Sequence, residues 1–184
     1  MELNDELTGR CSRIKLLLMD CDGVLTDGRL YFTARGEEMK VFDAKDGQGL
    51  ALWHKAGFMS GIISGRGSAD VLIARANELG IKHVVSSSSD KAADMRRILE
   101  HECISADEAV FVGDDIGDLP VMNLAGMSVA VADAVEIVRL KAKYVTSARG
   151  GRGAVREVVD MLLSAKSKQD QPVSNPAAAN FLSS

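Results

Sequence analysis

The stretch IKLLLMDCDGVL, residues 14–25, decides the fold. Its first six residues form a mostly apolar run of strand length, and two carboxylates, Asp20 and Asp22, follow at once. On an extended backbone, side chains two residues apart point the same way. Because like charges repel, this pair needs a proton or a cation between its members, and Mg²⁺ prefers such oxygen ligands. The same four residues, Asp20 to Gly23, are also typical of a turn.

Short apolar runs alternate with helical patterns along the rest of the chain. We expect further strands at residues 58–64, 81–85, 109–112, 128–131 and 144–146. Helices are predicted at 47–56, from Ser68 to Gly80, from Asp90 to about 102, after caps at Asp118 and Asp133, and at 154–163. This alternation predicts an α/β fold, a doubly wound, Rossmann-like parallel sheet with helices on both faces. Ligands of such sheets bind at the carboxyl ends of the strands.

One segment interrupts the alternation. Residues 26–42, TDGRLYFTARGEEMKVF, predict two short strands joined around Arg35 and Gly36, a β-hairpin flap inserted after the first strand. We expect no large cap domain. The predicted organisation is an N-terminal extension at 1–13, a domain at 14–163 and a flexible tail at 164–184, where two of the three prolines stand.

Two of the later strand ends carry groups suited to phosphate. Ser64, Gly65 and Arg66 follow the second predicted strand, and a hydroxyl with backbone amides at a helix entrance suits an anion. Lys91 opens the helix after the third strand, where a lysine opposes the helix dipole. Ser64 could also simply begin a turn, and Lys91 could be a solvated lysine.

The fourth strand end is crowded with acids. Asp114 and Asp115 follow Gly113 directly, and Asp118 comes soon after. We interpret Asp118 as a helix cap. Adjacent acids at a strand end gain little structurally, so Asp114 and Asp115 indicate a chemical role.

The order of these groups resembles the four motifs of the haloacid dehalogenase superfamily of phosphohydrolases. The resemblance implies that Asp20 is a nucleophile that becomes an aspartyl phosphate, with Asp22 as general acid and base. It implies a Mg²⁺ ion held by Asp20, the Asp22 backbone and Asp114. Asp115 would not bind the ion directly but would orient metal-bound water or Lys91. The phosphate and substrate contacts that it implies come from Gly23, Ser64, Gly65, Arg66, Lys91 and Arg152.

A narrower resemblance covers residues 15–163. The segments DGRLYFTARGEEMKVF, DAKDGQGL, GDDIGDLPVM and GGRGAVREVVDMLL are similar to the 3-deoxy-D-manno-octulosonate 8-phosphate phosphatase family. That family implies a homotetramer whose neighbouring subunits help to close the site, with the Gly150–Gly153 segment able to reach an adjacent one. Arg66 and Arg152 then become candidates for the substrate carboxylate, and both could equally be surface arginines.

Two departures from that family pattern bear on the substrate. Ser64 stands where threonine is usual, which keeps the hydroxyl. Four serines at 86–89 stand where a glutamine–glycine pair is frequent. The eight-carbon sugar-acid phosphate of lipopolysaccharide synthesis is the first expectation, and a nine-carbon 9-phosphate is the alternative.

Composition and charge argue against several other kinds of protein. The 184 residues carry a net charge of −4 without a basic run, which argues against nucleic-acid binding. Three scattered cysteines, a polar N-terminus and the lack of a long apolar run predict a cytoplasmic protein, with no signal peptide and no membrane span.

Three rival functions fit the sequence less well. A receiver domain would place its acceptor aspartate after the third strand, where this chain has serines and Lys91. A mutase or phosphotransferase of the same superfamily usually carries a cap domain, for which the chain has no room. A catalytically silent binding subunit would not need the complete set of acids and the lysine.

Overall fold

The computed structural model describes residues 4–34, 36–67 and 69–169. Within them, six strands form one parallel sheet in the order β5-β4-β1-β6-β7-β8. These are β1 (Leu16–Met19), β4 (Met59–Ile63), β5 (His83–Val85), β6 (Ala109–Gly113), β7 (Met127–Ala130) and β8 (Tyr144–Val145). The predicted doubly wound α/β fold is confirmed.

The first strand lies in the middle of the sheet. Leu16 is in register with Met59 on one side and Ala109 on the other. All four residues of β1 are fully buried, because helices cover both of its faces. The residue that follows this strand is therefore held at the centre of the carboxyl edge.

Seven α-helices connect and cover the strands in the described part of the chain. They are α1 (Asp5–Arg13), α2 (Ala44–Lys55), α3 (Ala69–Leu79), α4 (Lys91–Glu102), α5 (Leu119–Leu124), α6 (Glu136–Lys141) and α7 (Ala154–Gln169). Helices α1, α2 and α7 pack together, and α4 packs on α5. Asp90 caps α4 as predicted, since its side chain accepts a hydrogen bond from the Ala93 amide. The predicted cap at Ser68 lies outside the described residues.

The hairpin flap is present. Strands β2 (Tyr31–Thr33) and β3 (Gly36–Met39) pair antiparallel and form a separate two-stranded sheet. All three residues of β2 are exposed. The flap therefore rises from the carboxyl edge of the main sheet immediately after β1.

Two predicted helix starts are wrong. Helix α2 begins at Ala44, three residues early, because the Asp43 side chain accepts a hydrogen bond from the Lys45 amide. Helix α6 begins at Glu136. Asp133 does not open that helix, because its carboxylate accepts a hydrogen bond from the Gly150 amide at 2.9 Å.

Helices lie beyond both ends of the predicted domain at 14–163. The first thirteen residues include α1, whose Cys11 is fully buried against the core. The closing helix continues to Gln169, six residues beyond the predicted end. Residues 170–184, the rest of the predicted tail, lie outside the described residues. No helix in the described ranges is long and apolar enough to cross a membrane.

Candidate active site

A cleft of about 640 Å³ opens at the carboxyl edge of the sheet. It collects eight of the ten residues predicted for the site: Asp20, Asp22, Ser64, Gly65, Arg66, Lys91, Asp114 and Asp115. Ser88, Ser89, Asp90, Gly117, Asp118 and Pro120 complete its lining. The prediction that successive strand ends meet in one pocket is therefore confirmed for these positions.

Asp20 lies at the centre of the cleft wall, directly after β1. Its backbone amide donates to the Val112 carbonyl at 3.0 Å, which continues the sheet by one residue. Its Oδ1 accepts a hydrogen bond from the Cys21 amide at 2.7 Å and lies 3.0 Å from Lys91 Nζ. Burial raises the pKa of Asp20 to about 6, although the Lys91 charge opposes that rise.

Lys91 bridges two carboxylates. Its Nζ donates to Asp118 Oδ1 at 2.6 Å and lies 3.0 Å from Asp20 Oδ1. Burial alone would lower the pKa of Lys91, but the charges of Asp20 and Asp118 raise it above its ordinary value. The ammonium group therefore stays charged beside the nucleophile candidate.

Asp118 stands at the N-cap position of α5 as predicted, but its side chain makes no capping hydrogen bond to that helix. It is 1% exposed, and its Oδ2 accepts hydrogen bonds from the amides of Asp114 and Asp115 at 2.9 and 3.3 Å. Its other oxygen holds Lys91. A buried acid that fixes both a loop and a lysine belongs to the site rather than to the helix end alone.

Asp114 forms an acidic cluster with Asp20 and Asp118. One carboxylate oxygen each from Asp20, Asp114 and Asp118 lie within 4.8 Å of one another. Burial, followed by the charges of Asp20, Asp118 and Asp115, raises the pKa of Asp114 to about 8. Its Oδ1 is buried and has no hydrogen-bond partner among the described residues. The cluster therefore fits a divalent cation, which would relieve this repulsion.

Gly23 supports the cleft without lining it. Its φ is +98°, and an added Cβ would lie 2.1 Å from Asp114 Oδ2. Only glycine lets the backbone adopt this conformation so close to that carboxylate.

Ser64 directly follows β4, the strand beside β1 in the sheet. It is 2% exposed, and its amide donates to the Val85 carbonyl at 2.8 Å. Its carbonyl accepts a hydrogen bond from the Ser88 amide at 2.9 Å, and its Oγ accepts one from the Arg66 amide at 3.2 Å. The serine loop after β5 is thereby joined to the loop after β4, so both face the same cleft.

Asp22 is held by Lys40, a residue outside the four sequence motifs. Lys40 Nζ lies 2.5 Å from Asp22 Oδ1, and the Lys40 side chain is 2% exposed. Arg66 Nε approaches Asp22 Oδ2 at 3.7 Å. The sequence does contain a signal for Lys40. A hairpin returns the chain to the place where the hairpin began, near Asp22, and Lys40 directly follows the second flap strand.

Two predicted residues make contacts other than those expected. Asp115 is exposed, and its Oδ1 accepts a hydrogen bond from the Ile116 amide at 2.7 Å, while Asp118 holds Lys91. Arg152 does not line the cleft. Its Nη2 lies 3.4 Å from Asp27 Oδ2 on the protein surface.

Comparison with known proteins agrees with this geometry. Residues 67–158 match the family model for haloacid dehalogenase-like hydrolases, which defines the class of the protein. The 3-deoxy-D-manno-octulosonate 8-phosphate phosphatases of Yersinia pestis and Escherichia coli K12 are 43% and 42% identical to this chain. The alignments cover 89% and 90% of this chain and 87% and 88% of those proteins.

Solved structures show the same relationship. The crystal structure of the Yersinia pestis phosphatase superimposes with a TM-score of 0.86, covering 89% of this chain and 88% of its own. A Moraxella catarrhalis phosphatase, solved with a magnesium ion, a phosphate ion and a KDO molecule, has 35% identity and a TM-score of 0.86. That comparison covers 91% of this chain and 96% of the other. The chain belongs to the 3-deoxy-D-manno-octulosonate 8-phosphate phosphatase family.

Proposed function

We propose that this protein is a magnesium-dependent phosphomonoesterase that hydrolyses 3-deoxy-D-manno-octulosonate 8-phosphate to the free sugar acid and phosphate. The observation that carries the proposal is Asp20, a buried carboxylate between Lys91 and the acids that follow β6, in a chain 42–43% identical to phosphatases of that name. The free sugar acid is a precursor for lipopolysaccharide.

In the first step, Asp20 attacks phosphorus in line with the bond to the sugar oxygen. A bond forms between a carboxylate oxygen of Asp20 and phosphorus, and the bond between phosphorus and the ester oxygen breaks. Asp22 gives its proton to the leaving oxygen. The products of this step are the free sugar acid and an aspartyl phosphate.

In the second step, water attacks the phosphorus of the aspartyl phosphate. Asp22, now ionised, accepts a proton from that water as the acyl phosphate bond breaks. Inorganic phosphate leaves, and Asp20 and Asp22 return to their starting states.

Three groups hold the phosphoryl oxygens during both steps. Ser64 supplies a hydroxyl, the backbone around Gly65 supplies amides, and Lys91 supplies a positive charge. All three face the same cleft. Because Asp118 and Asp20 already fix Lys91, its charge is in place before substrate binds.

The acidic cluster is suited to magnesium. Asp20 and Asp114 would hold the ion through their carboxylates, and Asp22 through its backbone carbonyl. Both oxygens of Asp118 are engaged by Lys91 and by backbone amides, so we do not propose it as a ligand. The ion, when bound, neutralises the carboxylates and the phosphate oxygens as a Lewis acid.

Arg66 is the candidate partner for the sugar-acid carboxylate inside the cleft, because guanidinium binds carboxylate in a bidentate manner. Arg152 would do so only from a neighbouring subunit, because in its own chain it lies outside the cleft.

We propose a homotetramer on the basis of family membership. The exposed flap agrees with it, since isolated two-stranded sheets are marginally stable. We also propose a cytoplasmic location.

The test is phosphate release from a panel of sugar phosphates with magnesium present. The panel pairs 3-deoxy-D-manno-octulosonate 8-phosphate with nine-carbon sugar-acid 9-phosphates. Preference for the eight-carbon compound supports the proposal. Preference for a nine-carbon compound keeps the mechanism and points to the loop at residues 86–89. Release from no compound while magnesium binds favours the silent binding subunit.

A further inference from the structure

The flap is joined to Asp22 through a buried lysine, Lys40. Lys40, the residue after β3, is buried, with only 2% of its side chain exposed. A lysine is rarely buried to this extent without an ion-pair partner, because removing its charge from water is costly. Here Asp22 Oδ1, 2.5 Å away, is such a partner.

The two oxygens of Asp22 have different surroundings. Oδ1 accepts the hydrogen bond from Lys40. Oδ2 is buried, has no hydrogen-bond partner among the described residues, and has Arg66 Nε at 3.7 Å. The lysine thus occupies one oxygen and fixes the carboxylate rotamer, which leaves the other oxygen for the substrate.

A role for Lys40 as a direct substrate ligand does not fit its burial. Lys40 does not line the cleft, whereas Asp22 and Arg66 do. The contact that joins Lys40 to a residue of the cleft is its ion pair with Asp22.

We propose that Lys40 is a positioning residue that orients Asp22 so that Oδ2 delivers its proton to the leaving oxygen. The inference rests on the proposed function, in which Asp22 is the general acid. It adds that the flap carries part of the acid-catalytic machinery. Arg66 connects to the flap as well, since its Cζ lies 6.0 Å from the centroid of the Phe32 ring.

The test compares two aryl phosphates of nearly the same shape, phenyl phosphate and p-nitrophenyl phosphate, in the full-length enzyme with magnesium. Phenoxide is a poor leaving group and needs the acid, whereas nitrophenoxide leaves without it. The value of kcat/KM reports the steps through departure of the leaving group. Lys40→Met should raise the p-nitrophenyl to phenyl ratio of kcat/KM by about tenfold or more, within what positioned acids contribute.

Three controls separate positioning from general damage. Asp22→Asn should raise the same ratio, and adding Lys40→Met to it should cause no further rise. Lys45→Met removes an exposed lysine from the first turn of α2 and should leave the ratio unchanged. Lys40→Gln serves if Lys40→Met does not fold, because its shorter side chain cannot reach Asp22, and its ratio should rise too.

An unchanged ratio in a folded Lys40 variant would overturn the inference, even if total activity fell. A rise in the Asp22→Asn background equal to that in the wild type would do the same. Failure of the proposed function is distinguishable, because it would show as wild-type enzyme that releases no phosphate from the sugar phosphates.

Discussion

Gly150 lies directly against Gly23. A Cβ added to Gly150 would stand 1.7 Å from the Gly23 carbonyl oxygen, and the neighbouring Gly151 amide donates to the Val24 carbonyl at 2.8 Å. The segment before α7 is thus a backbone support for the loop that carries Asp20 and Asp22. In its own chain, this segment shapes the site by close packing rather than by a side chain.

Gly150→Ala should therefore destabilise the protein and reduce its activity. The new methyl group must displace the Gly23 loop, so we expect a loss of about 2 kcal/mol or more in the free energy of unfolding. Urea unfolding and phosphate release measure the two effects. Gly9→Ala is the matched control: nothing lies within 4 Å of its added methyl group, and an alanine inside α1 should stabilise slightly. Equal stability of the two variants would refute the packing role.

Replacing Asp118 should destabilise the protein more than replacing its neighbour Asp115. Asp118→Ala removes a buried partner of Lys91 and the acceptor for two backbone amides, so we expect a loss of about 3 kcal/mol and most of the activity. Asp115→Ala removes an exposed side chain with one capping bond, which should cost about 1 kcal/mol. Thermal unfolding of both variants measures which loss of stability is larger. A larger loss for Asp115→Ala would contradict the role of Asp118 in fixing Lys91 and the loop.

The stability of the metal-free protein should fall as the pH rises. The folded state raises the pKa of Asp20 to about 6 and that of Asp114 to about 8, against 3.8 ordinarily. Between these values the folded protein holds protons that the unfolded chain has released. These two groups therefore favour folding at low pH, and that advantage is lost from about pH 4 to about pH 8.

Magnesium should reverse this trend. Because it competes with protons for the same carboxylates, the rise in melting temperature on adding magnesium should be larger at pH 8 than at pH 5.5. Asp114→Asn removes the group with the larger shift, so its metal-free stability should fall less with pH and its magnesium response should be small. A magnesium response independent of pH would count against the acidic cluster as the binding site.

The end of α7 should contribute to stability. Ala165 is buried, and Lys166 Nζ donates to the Ser12 carbonyl at 2.7 Å and lies 4.2 Å from the centroid of the Phe58 ring. A chain ending after residue 163 should lose about 1–3 kcal/mol relative to one ending after residue 169. Calorimetry of the two truncated proteins measures the difference, and identical melting temperatures would restore the shorter boundary predicted from the sequence.

The main features of the site could be predicted because the carboxyl ends of parallel strands meet at one edge. Asp20, Ser64, Lys91 and Asp114 are far apart in sequence, yet each follows a strand or opens the helix after it. Recognising the strands was enough to bring these residues together. Their chemical types then indicated phosphate and a divalent cation.

The other features of the fold and the site depend on tertiary contacts, which local sequence patterns do not specify. Asp118 and Asp133 occupy positions typical of helix caps, but each accepts hydrogen bonds from other groups. Lys40 reaches Asp22 only because the hairpin returns the chain to the segment that follows β1. Composition suggested a tail after residue 163, whereas one buried alanine and one lysine contact extend the helix.

The most direct test of the account is phosphate release from 3-deoxy-D-manno-octulosonate 8-phosphate by the wild-type protein and by Asp20→Asn, with magnesium and with a chelator. We expect turnover by the wild type with magnesium and none with the chelator. Asp20→Asn should lose about a thousandfold or more while circular dichroism shows an intact fold. Substantial activity in folded Asp20→Asn would contradict Asp20 as the nucleophile, and turnover unaffected by the chelator would contradict the magnesium requirement.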